Sequence, residues 1–175
     1  MKMFKKIMAV ALTAVMAVSM LTGCAVSDAI AEKQAEKALE NAYKTVAGEN
    51  VNFKSFSVDS SVTSPVKTEI KNGTILLADD ETYAETVTVD GKEYTVVVVT
   101  EPKSATKYGN WKNVALNVLT AAYSENTIWL EGTTNKTAKV NVTAGLEGKN
   151  ATDTSKKDTY AMFVFAANEA AYDKK

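Results

Sequence analysis

Residues 82–99 read TYAETVTVDGKEYTVVVV, two runs of Val, Thr and Tyr on either side of Asp90-Gly91. β-Branched and aromatic side chains suit a pleated, half-buried surface. An Asp-Gly pair supplies the left-handed backbone that a two-residue hairpin turn requires. The turn sets the register: Val89 faces Lys92, Val87 faces Tyr94, Glu85 faces Val96 and Tyr83 faces Val98. One face then carries Tyr83, Val87, Val89, Tyr94, Val96 and Val98, and the other carries Ala84, Thr86, Thr88, Glu93 and Thr95. Val97 and Val99 break the alternation, so the far end of the second strand is expected to be covered on both sides.

Further strands are expected on either side of this hairpin. Thr159 to Ala167 is a nearly continuous apolar run through Tyr160, Met162, Phe163, Val164 and Phe165, which predicts a strand at the centre of the sheet. Thr137 to Thr143 alternates, and Gly145 to Asp158 between these two runs reads as a long polar loop. Thr127 to Glu131 reads as a short strand. Trp111, Val114, Ala115, Val118, Leu119 and Ala122 recur at helical spacing, with Asn110 placed to cap a helix. Upstream, Asn50 to Asp59 reads as a strand and Ser60 to Pro65 as a polar turn. Val66 to Lys71 reads as an edge strand, followed by Asn72-Gly73 and a strand over Thr74 to Ala78. From Ala29 to Ala47, Ala31, Ala35, Ala38, Leu39, Ala42 and Val46 share one face of a helix that stops at Gly48. The expected fold is α+β: an antiparallel sheet with this N-terminal helix and the second helix packed on one face. The alternative is a β-sandwich with an added N-terminal helix.

The first 23 residues have another character. Lys2, Lys5 and Lys6 open the chain, Ile7 to Met20 is apolar apart from Thr13 and Ser19, and small residues lead to Cys24. This is the three-zone pattern of an export signal, and the apolar run is short for a membrane span. Leu21-Thr22-Gly23-Cys24 resembles the lipobox of bacterial lipoproteins. The resemblance covers the leader alone and implies a signal peptide over 1–23, a lipid on Cys24 and a cell-envelope location outside the cytoplasm. Residues 24–27 then form a short tether, and 28–175 a single globular domain. Two acyl chains suffice for stable anchoring. The membrane is therefore an expected partner, through Cys24.

Composition removes several chemistries. The chain has no His and no Arg, and Cys24 is its one cysteine. Loss of Lys2, Lys5 and Lys6 with the leader leaves 17 lysines against 21 acidic residues, a net charge of −4. That balance argues against nucleic acid as a partner, which requires clustered cations. A Ser-His-Asp triad, a Cys-His pair and a His-ligated metal are excluded within this chain, and no phosphate-binding glycine pattern is present.

Carboxylates, tyrosines and oxygen-ligand metals remain. Asp79-Asp80-Glu81 is the densest acidic run, and Ca²⁺ is the one cofactor it suits. It lacks the alternating ligands of a calcium loop, and a solvated turn is the plainer reading. Trp111 and Trp129 are candidates for a platform that stacks on sugar rings, against the plainer reading that both fill the core. A Ser104/Lys107 dyad would need a buried lysine that nothing nearby predicts. The leading functional expectation is a non-catalytic binding or assembly role towards an envelope glycan, a protein or an extracellular ligand. The competing expectations are a glycan-directed hydrolase using paired carboxylates, and a structural stalk or spacer.

Overall fold

The computed structural model describes residues 28–47, 52–103, 110–124 and 137–166. Over these residues the fold is α+β. The elements in order are helix α1 (Asp28–Ala47), strand β1 (Asn52–Ser55), helix α2 (Ser60–Asn72), strands β2 (Thr82–Val89) and β3 (Lys92–Thr100), helix α3 (Trp111–Ser124), and strands β4 (Thr137–Lys149) and β5 (Lys157–Ala166). The strands form one sheet in the order β1-β4-β5-β3-β2. The sheet is mixed rather than wholly antiparallel, because β1 pairs with β4 in parallel.

The hairpin has the expected register, with Val89 opposite Lys92 and Tyr83 opposite Val98. Asp90 and Gly91 both have positive φ, 52° and 74°, as the tight turn demands. The whole run from Thr95 to Thr100 is buried, so both faces of β3 are covered at its far end. β5 lies at the centre of the sheet between β3 and β4, and Tyr160 to Phe165 are buried without a break.

Two apolar layers explain this burial. On one face α1 and α3 pack side by side. Leu39, Ala42 and Tyr43 of α1 and Val114, Val118 and Leu119 of α3 meet Val97, Val99, Phe163 and Phe165 of the sheet. The alanine face of α1 therefore belongs to the core, and the helix is a layer of the domain rather than a free-standing rod. Asn110 caps α3 as its sequence implies, its Oδ1 accepting the Asn113 amide at 3.2 Å.

The opposite face differs from the expected fold. Ser60–Asn72 is one helix, not a turn followed by an edge strand. Asp59 caps it, its side chain accepting the Ser61 amide at 2.8 Å, and Gly73 closes it in the left-handed conformation at φ 79°. Val62, Val66 and Ile70 fall four apart and cover Val96, Val98, Met162 and Val164. Pro65 lies inside the helix on its exposed side, where water can take the carbonyl that a proline leaves unbonded. Thr74 to Ala78 is not a strand, although Ile75 and Leu77 are buried against the same layer. A single sheet with helices on both faces replaces the sandwich alternative.

The expected loop from Gly145 to Asp158 is also shorter than the sequence implies. β4 runs on to Lys149 and β5 begins at Lys157, so only 150–156 turn. A register shift between Thr143 and Leu146 bulges β4, and Gly145 sits in that bulge at φ 72°. The expected strand over Thr127 to Glu131 lies outside the described residues.

Candidate functional site

Polar side chains concentrate at the end of the sheet where β3 and β4 finish and α1 begins. The first group surrounds Asp158, the one acidic residue among the buried described residues. Its Oδ2 accepts Lys103 Nζ at 2.6 Å and Asn150 Nδ2 at 3.0 Å, and its Oδ1 accepts the Thr159 amide at 2.9 Å. Lys103 reaches Asp79 Oδ1 at 3.1 Å as well. Burial pulls the Lys103 ammonium down, but the hydrogen bonds and charges of Asp158 and Asp79 outweigh it and leave its pKa raised. Beside them the fully buried Tyr160 donates its hydroxyl to Lys149 O at 2.7 Å. The carboxylate of Asp158 is thus taken up by three donors of its own chain, and the group ties the β4–β5 hairpin to the segment after β3.

The second group centres on Glu101, directly after β3. It accepts the Gly145 amide, and Glu32 of α1 accepts the neighbouring Ala144 amide at 3.2 Å. Asp28 lies against Gly145 itself, closely enough that any side chain at 145 would collide with it. Burial pushes the Glu101 carboxyl above its usual range. The Gly145 amide works against that shift, and the charges of Asp28 and Glu32 reinforce it. A half-buried carboxyl with a raised pKa is the kind of group that performs general acid work. The depressions described below do not adjoin it, and the Glu32 and Glu101 oxygens are engaged by backbone amides of the β4 bulge.

Two depressions are open to solvent. One, about 570 Å³, lies along the outer face of α2 over Ser60, Ser64, Pro65 and Thr68. The other, about 280 Å³, is a groove between α1 and the β1–β4 edge, lined by Lys33, Glu36, Lys37, Glu40, Ser55 and Val140.

The described residues among those singled out in the sequence have separate surroundings. Asp79 is drawn to Lys103, Glu81 turns back to accept the Ala78 amide at 2.9 Å, and Asp80 stays exposed. Among the described residues no three acidic side chains come together in a way that could hold a metal ion. Trp111 is half-buried against the α1–α3 layer, edge-on to Phe163 with ring centroids 6.5 Å apart. Trp129, Cys24, Ser104 and Lys107 lie outside the described residues. Sequence reasoning missed Glu101, Asp158 and Lys103. The contacts that join them to distant elements, Glu101 with Gly145 and Lys103 with Asp158, cross 44 and 55 positions of chain, for which no local pattern exists. Among the described residues no helix is long and apolar enough to cross a membrane. No family model, curated protein or solved structure matches the chain.

Proposed function

We propose that this protein is a lipid-anchored component of a bacterial cell envelope, held to the membrane through Cys24. It has a non-catalytic binding or assembly role towards an envelope glycan, a protein or an extracellular ligand. The observation that carries the anchor is Leu21-Thr22-Gly23-Cys24 placed directly after a basic start and an apolar run. The non-catalytic part is supported by the use of the polar residues: Asp158, Lys103, Glu32 and Glu101 hold the strand ends to one another and to α1.

The anchor is tested by Cys24→Ser in the full-length chain. The wild type partitions into the detergent phase and incorporates labelled palmitate, whereas the variant loses the label and leaves the membrane fraction. A variant that stays membrane-bound overturns the anchor. The binding role is tested by a thermal-shift screen of residues 25–175 against envelope glycans, peptides and Ca²⁺. A ligand that binds only the folded state raises Tm in proportion to the logarithm of its concentration over Kd.

A further inference from the structure

The start of α1 and the tip of the β4–β5 hairpin lie at the same end of the molecule. Asp28 touches Gly145, Glu32 bonds Ala144, and Glu36 accepts from Ser55, which pairs with Val140. Moving up α1 is therefore moving back along β4, and α1 points its first residue towards the hairpin. Beyond the level of Gly145, β4 continues through Leu146, Glu147, Gly148 and Lys149, about 13 Å of strand, before the turn over 150–156.

The reach of the tether can be set against that length. Four residue steps separate Cys24 from Asp28, at most about 14 Å of extended chain. A lipid on Cys24 fixes the bilayer surface within that distance of the start of α1. The headgroup layer itself is about 5–8 Å thick on each side. With the strands along the bilayer normal, a hairpin projecting about 13 Å plus its turn in the same direction reaches that layer even when the tether is fully extended.

The tip suits such a seat. It is held rigid, because Asn150 Oδ1 accepts the Thr152 and Asp153 amides at 3.0 and 2.9 Å and the Asn150 amide closes onto Lys156 O at 3.1 Å. Lys156 and Lys157 project with side chains 74% and 76% exposed, paired among the described residues with the solvent-facing carboxylates of Asp153 and Glu147. Such surface pairs contribute little to stability, and both ammonium groups remain accessible from outside the molecule. Ile30, the most exposed large apolar side chain described, stands in the first turn of α1 at the same end.

We propose that the β4–β5 hairpin is a second membrane contact, its tip seated on the lipid headgroup layer so that the sheet stands on end above the bilayer. The proposal rests on the lipid-anchor reading. Its test uses the full lipidated protein in phosphatidylcholine–phosphatidylglycerol vesicles containing headgroup-quencher lipids. A fluorophore is placed on Thr152→Cys at the tip, or on Thr88→Cys beside the opposite turn, about 30 Å further along the strand direction. Tip fluorescence is expected to be quenched several-fold more than that at position 88. Equal quenching, or stronger quenching at 88, overturns the proposal. Mass spectrometry of the N-terminal peptide in the same samples separates the two failures. An acylated Cys24 with equal quenching rejects only the hairpin contact, whereas an unmodified Cys24 rejects the anchor and the contact together.

Discussion

Asp158 shows what a single buried charge does in this molecule. Its side chain is 7% exposed and bonds Lys103 and Asn150. Replacing it with Ala removes the acceptor for both, and hydrogen bonds to a charged group are worth about 1.5–3 kcal/mol. Because Lys103 is partly open to water and can resolvate, Asp158→Ala is expected to destabilise by about 2 kcal/mol, read as a lower urea midpoint at unchanged m. Glu101 has the opposite sign. Its folded-state pKa lies above the usual 4.5, so the folded protein holds that proton more tightly than the unfolded chain does. Stability from this group is complete below the unfolded value and is lost as pH rises through the raised one. Glu101→Gln keeps an acceptor for the Gly145 amide and removes the charge facing Asp28 and Glu32. Its unfolding free energy is expected to exceed the wild type's at neutral pH by under about 1 kcal/mol after solvent screening, read as a slightly higher Tm, and to equal it near pH 4. A Tm difference independent of pH would contradict this.

At the scale of elements, close approach decides the packing. A Cβ at Gly148 would fall 2.6 Å from the Tyr160 ring and 2.9 Å from Ile70, so the lack of a side chain there lets α2 lie on β4. Gly148→Ala is expected to cost about 1–3 kcal/mol by overpacking, with faster amide exchange in α2. Gly145→Ala adds left-handed backbone strain to a collision with Asp28, and should loosen the first turn of α1 in the same measurement. α2 is also the element that sequence reading misplaced. Its Ser and Thr residues and Pro65 resemble a turn, and Val66 and Ile70 resemble a strand, because those residue types favour such conformations locally. The signs that outweigh them were present: Asp59 as cap, Val62, Val66 and Ile70 four apart, and Gly73 as stop. Asp59→Ala should therefore cost about 1 kcal/mol, measured by denaturant unfolding.

For the whole molecule, α1 is the telling case. It closes one face of the sheet with Ala35, Leu39, Ala42 and Tyr43, so a chain beginning after Ala47 exposes Val97, Phe163 and Phe165. That truncation is expected to fail to fold, seen as lost near-ultraviolet dichroism. A folded, cooperative fragment would instead make α1 a dispensable stalk. The sequence alone determined the Asp90-Gly91 hairpin with its register, the two amphipathic helices of one face and the central apolar strand. Each is written in neighbouring residues, as a turn, a period or a short motif. The parallel seat of β1 beside β4, the third helix on the other face, and the meeting of Asp158 with Lys103 and of Glu101 with Glu32 were decided only by the tertiary structure. These depend on which distant segments share a sheet edge or a layer, and that is set by how the apolar faces bury one another rather than by any local pattern.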